Sequence, residues 1–367
     1  MKIGVITFHA SHNYGSMLQA WALQSFLKEL GHQVFIVNYR SKAQKDIYHR
    51  PISFVRYDVA LATFKRLLLY PSSIKGLFKK WHLFEKFLKE EFNSTREYST
   101  IEELKNASHE FDMLICGSDQ IWNTNVKDSN EAYYGTWFPS KKISYAASCG
   151  PYPEKCNIIK ISSKLTAFNA VSVREQRLCS LLSDHGISNV KVVCDPTLLL
   201  HHEQYDKLAG DTPIVKGKYV FFYTHIGHSP HYLQMANQIG EKLGLPVICE
   251  KAYYKHEITR FEHIKRIIDV GPKEFLNLIK FATYICGDSF HLQVFAILFK
   301  KDFSCFNGDK DSRTRTLLQQ LGLENQIVKI NHRDRLIKNH IETYDEVDER
   351  IEEYKKNSLY YLSENIK

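Results

Sequence analysis

The sequence predicts an α/β protein of two tandem domains, each built on a doubly wound parallel sheet, with a helical insertion in the first. Three observations predict it. The chain has 367 residues, more than one hydrophobic core usually holds, so two domains of ordinary size are expected. Short apolar runs alternate with helix-period segments, the pattern of strand–helix units on a parallel sheet. The stretch "AGDTPIVKGK" (209–218) reads as a linker that divides this alternation into two series.

The first series opens with "KIGVITF", a buried strand, followed by the polar loop "HASHNYGS". "MLQAWALQSFLKEL" carries apolar residues at helical spacing, and Gly31 is a good helix stop. "HQVFIVNY", "FDMLICG", "KISYAAS", "AVSVR" and "VKVVCD" follow as strands. The second series contains the strand "YVFFYTHIG", the helix "PHYLQMANQIGEKLG" and the strand "LPVICE". The helix "PKEFLNLIKF", the strand "TYICGD", a helix containing His291 and the strand "DFSCF" complete it. These elements place a first domain over 1–208, with an insertion over about 45–100, and a second over 209–340. The charged stretch 341–367 is compatible with a terminal helix crossing back onto the first domain.

Hydrophobic residues at 44% and aromatics at 13% fit a packed globular protein. The formal charge of +8 suggests an anionic partner. Between Lys42 and Glu91, 11 Lys and Arg stand against 5 Asp and Glu, an excess of +6. This basic stretch matches no nucleic-acid recognition motif, so no nucleic-acid partner is expected. The eight cysteines are scattered with no CxxC, which fits a reducing compartment better than a disulfide framework or zinc site. No metal and no cofactor are expected. The N-terminal apolar run is broken by His9 and Asn13, too soon for a signal peptide. No run of about 18 apolar residues exists, so a cytoplasmic protein is expected.

Residues 64–92 read as two helices split by Pro71-Ser72-Ser73, with apolar residues alternating with lysines. One reading is a basic surface that touches anionic lipid, with Trp81 exposed. The other, preferred here, is an amphipathic hairpin packed on the sheet with a solvated lysine face.

Polar residues at strand ends are the candidates for chemistry, since a core does not need them. After the first strand, Asn13, Tyr14 and Gly15 could line a cleft, with free N–H groups at the helix start; an ordinary capped turn explains them equally well. After "FDMLIC" come Ser118, Asp119 and Gln120. Asp119 could act as acid, base or sugar ligand; its other reading is a helix cap. Arg174 follows a buried strand and offers a fork suited to carboxylate or phosphate; an ion pair with Glu175 is the structural alternative. Asp195-Pro196 reads as a turn. His291 sits at the first turn of a helix just past a strand. The turn Gly287-Asp288-Ser289 before it exposes N–H groups that would favour an anion. Arg313 and Arg315 add positive charge nearby.

"NYGSMLQAWAL", "ICGSDQIWN", "SYAASCG", "SVREQ", "CDPTLLL" and "GDSFHLQVFAILFKKDF" occur in that order. Together they resemble the polysaccharide pyruvyl transferase family over roughly residues 1–330. The resemblance implies two Rossmann-like domains facing a cleft, as in GT-B glycosyltransferases. It implies transfer of a pyruvyl group from phosphoenolpyruvate to two sugar hydroxyls, forming a ketal in capsule, exopolysaccharide or cell-wall glycan. It also implies donor contacts from the positions matching Arg174 and His291. Two positions depart from the family pattern: Ser289, where arginine also occurs, and Leu292, where glycine is common. The first removes a phosphate ligand that Arg313 or a lysine would have to replace.

On this reading His291 contacts phosphate and transfers a proton. Arg174, Ser289 and Arg313 join it around phosphoenolpyruvate, and Asp119 is the base or an acceptor-sugar ligand. Asn13, Tyr14, Gly15, Ser118 and Gln120 line the acceptor side. The expected acceptor is an undecaprenyl-diphosphate-linked oligosaccharide at the inner membrane face. The alternatives are a nucleotide-sugar glycosyltransferase and an inactive glycan-assembly scaffold. The Gly287–Phe303 segment holds no glutamate to grip a ribose.

Overall fold

Lys2–Ile6 forms the first strand, β1, buried along nearly its whole length, as continuous apolar runs are in a parallel sheet. β2 (Gln33–Ile36), β3 (Met113–Cys116) and β4 (Lys142–Ser144) join it in a computed structural model, in the order β2-β1-β3-β4, all parallel. The structure describes residues 1–53, 60–61, 63–64, 68, 71–225, 229–250, 260–328, 336–338 and 340–366. Isolated bridges Ile143–Ala170 and Ala147–Val173 carry the sheet on to β5 (Ser172–Val173) and β6 (Lys191–Val192). These last two strands are much shorter than the runs "AVSVR" and "VKVVCD" that predicted them.

The second sheet runs β9-β8-β7-β10-β11-β12, again all parallel. Its strands are β7 (Val220–Tyr223), β8 (Val247–Cys249), β9 (Ile264–Arg266), β10 (Tyr284–Gly287), β11 (Phe303–Phe306) and β12 (Ile327–Val328). β9 and β12 escaped the sequence reading because they are short edge strands. β9 mixes one buried apolar residue with Lys265 and Arg266. In both sheets the strand order reverses beside the first strand, between β1 and β3 and between β7 and β10. Such switch points leave a crevice at the carboxyl ends of the strands.

One hydrophobic cluster crosses the domain boundary, joining Met17 and Leu18 to Phe275, Phe295 and Leu292. The linker is held by buried Asn277. Its Nδ2 donates to the carbonyls of Ala209 (2.9 Å) and Thr212 (3.0 Å), and its Oδ1 accepts from Ile214 N (3.0 Å). The terminal helix Tyr344–Asn365 pairs Asp348 with Lys300, then reaches the first domain. There Tyr354 and Tyr361 donate to the carbonyls of Val193 and Ser144.

In the insertion, Pro71–Glu91 is one helix. Phe84, Phe87 and Leu88 bury its inner face in the core, as an amphipathic surface helix does. The same helix ties to the second domain through Lys79–Asp269 (2.7 Å) and Lys80–Glu250 (2.6 Å). Trp81 is not an exposed anchor: Arg50 lies 5.2 Å from its ring centroid. Leu61, Phe64 and Leu68 are exposed. Pro71-Ser72-Ser73, the expected split between two helices, forms the first turn of the Pro71–Glu91 helix, and residues 69–70 before it lie outside the described residues. No helix among the described residues is long and apolar enough to cross a membrane.

Asn277→Ala should lower stability by about 1–3 kcal/mol, because it strands polar groups of the linker. Urea unfolding checks this, and an unchanged midpoint would count against the clamp.

Candidate functional site

The site forms where a helix start from each domain meets the other. After β1 the chain turns into the helix Tyr14–Glu29, whose first turn is capped by Asn13, its side chain accepting from Ser16 N. After β10 it turns into the helix Phe290–Leu298. A Cβ placed on Gly15 would lie 2.0 Å from His291 Nδ1. Gly15 is therefore required for room: any side chain would drive the imidazole out. Gly287 answers a similar need, since a Cβ there would fall 1.8 Å from the Tyr223 carbonyl oxygen.

Arg174, directly after β5, has a buried guanidinium. Its Nη1 lies 2.5 Å from Asp195 Oδ2, and its Cζ sits 4.5 Å from the Phe290 ring centroid. Asp195 divides its two oxygens between tasks. Oδ1 accepts from Thr197 N (3.0 Å) and Thr197 Oγ1 (2.6 Å), which makes the turn that the Asp-Pro pair predicted. Oδ2 faces Arg174 and also lies 3.5 Å from His291 Nε2. Asp119 completes the group at a φ of 71°. Its Oδ2 accepts from Ser16 Oγ, and its Oδ1 stands 3.5 Å from Arg174 Nη2.

The electrostatics follow from burial and pairing. Burial alone would raise the Asp195 carboxyl, but His291 and Arg174 outweigh it and hold the group well below the usual carboxylate range. Glu175 does not pair with its neighbour Arg174. It is fully buried, accepts from Ser148 Oγ and Cys149 N, and burial pushes its carboxyl up to about 7.

Three buried polar atoms in this group have no hydrogen-bond partner: Arg174 Nε, Arg174 Nη2 and His291 Nε2. Leaving such groups unmade costs about 1–3 kcal/mol each, more for charged ones. Nη2 and Nε2 face Asp119 and Asp195 only at 3.5 Å, too loosely for a well-formed hydrogen bond, and such loosely held donors suit a bound anion.

The expected site residues divide. Gly15, Asp119, Arg174 and His291 come together. Ser289 stands at the N-cap of the His291 helix, with no side-chain cap bond. Asn13 caps its helix instead of serving the cleft. Tyr14 is buried between the domains, stacked on Phe275 at 4.5 Å and donating to the Val270 carbonyl. Ser118 is buried and donates to the Ala146 carbonyl, and Gln120 Oε1 accepts from Asn123 Nδ2. Arg313 is no open phosphate ligand, because its fork is filled by Asp311 at 3.0 and 2.6 Å. Burial disfavours its charge, but Asp311 more than compensates and raises its pKa. The turn before His291 is not a free anion cradle either, since buried Asp288 occupies it and accepts from His225 N.

Asp195 and Phe290 were missed. An Asp-Pro pair signals a turn, and that true role hides the second oxygen. Phe290 reads as core, yet it carries Arg174 on its ring.

Residues 13–310 match the family model of polysaccharide pyruvyl transferase. The chain belongs to this family. No significant match was found among curated protein sequences. Among solved structures, the chain is similar to HepE from Anabaena, solved with UDP, at a TM-score of 0.57 and 11% identity, covering 99% of this chain and 100% of that one. It is similar to UDP-GlcNAc 2-epimerase from Neisseria meningitidis, solved with UDP-GlcNAc, at a TM-score of 0.51 and 12% identity, covering 98% and 94%. These likenesses show the fold: GT-B-like, with two Rossmann-like domains.

Two outcomes are expected. Gly15→Ala should lower stability by about 1–3 kcal/mol, since the new methyl overpacks against buried His291, and cut pyruvyl transfer by about 10²-fold through displaced His291; full turnover would contradict the contact. For Glu175, burial pushes the folded carboxyl up to about 7, against 4.5 for the group in an unfolded chain. The folded state thus holds a proton that the unfolded state releases first. Stability should fall as pH rises from about 4.5 to about 7, by on the order of 3 kcal/mol. Denaturation across this range should show the slope, and Glu175→Gln should flatten it.

Proposed function

We propose that this member of the family moves the pyruvyl group of phosphoenolpyruvate onto two hydroxyls of a hexose. The acceptor lies in a lipid-linked or polymeric glycan, and the product is a pyruvate ketal of a capsule or exopolysaccharide. The observation that carries the reading is that Arg174 Nε and Nη2 and His291 Nε2, at the meeting of the two helix starts, make no hydrogen bond, although Nη2 and Nε2 face carboxylates at 3.5 Å. The donor is an anion with a carboxylate and a phosphate, and such groups are what a guanidinium fork recognises.

The reaction balances as follows. A proton adds to C3 of phosphoenolpyruvate, leaving cationic character at C2. A sugar hydroxyl attacks C2 and loses its proton to a base. The C2–O bond to phosphate then breaks, and phosphate leaves with the bonding pair. A second hydroxyl attacks C2, gives up its proton and closes the ketal. Arg174 holds the donor carboxylate or phosphate through Nε and Nη2. His291 Nε2 contacts phosphate and moves the proton. Asp119 takes the proton of the attacking hydroxyl. Asp195 touches neither substrate; it positions Arg174. One general acid and one base are typically worth about 10²–10⁴-fold each.

A lipid-linked acceptor would bring the enzyme to an anionic membrane face. The exposed Leu61, Phe64 and Leu68 in the basic insertion support that contact.

Incubation with phosphoenolpyruvate and candidate lipid-linked or polymeric glycans tests the function. Phosphate release should match the gain of one pyruvyl ketal on the glycan. His291→Asn should lower both by about 10²–10⁴-fold. Sugar transfer from a nucleotide donor, with no phosphate released from phosphoenolpyruvate, would overturn the proposal.

A further inference from the structure

A second site lies at the other ends of β5 and β6. Arg174 follows the carboxyl end of β5; at the amino ends of both strands opens a cavity of about 950 Å³. Its walls are the turn Leu165–Val171, the turn Gly186–Val192, and the last turns of the terminal helix. That volume falls in the range of small-molecule sites. About 10 Å of extended chain, Val171 to Arg174, separates it from the cleft.

The chemistry of the wall is specific. Four asparagines face it: Asn169, Asn189, Asn357 and Asn365. Asn169 Oδ1 accepts from Lys142 N (2.9 Å), and Asn365 Nδ2 donates to the Tyr361 carbonyl (2.8 Å). Each of these fixed amides keeps its other end for a ligand. Asn189 and Asn357 make no side-chain hydrogen bond among the described residues. Tyr360 stands at the rim, 67% exposed, while its neighbour Tyr361 is pinned to the Ser144 carbonyl. Among the described residues, the charges in the wall are Lys191 and Glu364, opposite in sign.

We infer that this cavity binds an uncharged oligosaccharide. An aromatic ring packs against the C–H face of a sugar, and amides offer the donor and acceptor pairs that vicinal hydroxyls need. Among the described residues, a phosphate or nucleotide would find no arginine in the wall and one lysine, Lys191. The site holds a stretch of glycan away from the cleft, which rests on the reading that the acceptor is a glycan.

Calorimetric titration without any donor, using neutral hexasaccharides of glucose, galactose and N-acetylglucosamine, tests it. At least one should bind. Tyr360→Ala, at an exposed position that spares the fold, should weaken binding roughly tenfold, and His291→Asn should leave it unchanged. Binding retained while pyruvyl transfer fails would sink the cleft reading alone. Transfer from phosphoenolpyruvate with no hexasaccharide bound, or equal binding by Tyr360→Ala, would overturn the inference.

Discussion

The carboxylate of Asp195 is the constraint on which the rest of the site depends. It is buried, and a buried charge survives only when paired and hydrogen-bonded. Thr197 satisfies one oxygen, and the other faces Arg174 and His291. These partners come from separate elements: the end of β5, the turn after β6, and a helix start in the second domain. Remove the charge and the buried guanidinium keeps only the looser contact to Asp119, while His291 loses its carboxylate across the domain boundary.

That alignment is enforced by steric fit as well as by charge. Gly15 and His291 touch because each follows the first or fourth strand of its sheet, at the point where strand order reverses. The Pro71–Glu91 helix and the buried Tyr14 hold the domains in this register, through Lys80–Glu250 and the stacking on Phe275. Packed interiors do not deform continuously, so the distance between the two helix starts is fixed by contacts far from the chemistry. The cluster of Asp195, Arg174 and His291 is therefore a property of the domain interface and belongs to neither sheet alone.

Much of this was legible in the sequence. Alternating strands and helices predicted both sheets, because parallel strands buried on two faces leave unbroken apolar runs. Arg174 and His291 stood out because a strand end does not need them for packing. The errors share a cause. Asn13, Tyr14, Ser118 and Gln120 are polar or amphipathic residues near a strand end, and each spends its hydrogen bonds on the fold. Only their partners decide this: the Ser16 amide and Asn123 lie three residues away, the Ala146 and Val270 carbonyls far along the chain, and a sequence does not show which bonds form. Arg313 was misread for the same reason, since its fork closes on Asp311 two residues away. Conversely, a side chain with two oxygens can serve a turn and a site at once, and Asp195 shows only the turn to a local reading.

Calorimetric titration with phosphoenolpyruvate beside UDP-sugars, for the wild type and for Arg174→Lys, tests the central claim most directly. The account predicts that phosphoenolpyruvate alone binds, and that lysine, which keeps the charge but loses the fork, weakens it strongly. Equal binding by the variant, or binding of a UDP-sugar in place of phosphoenolpyruvate, would contradict it.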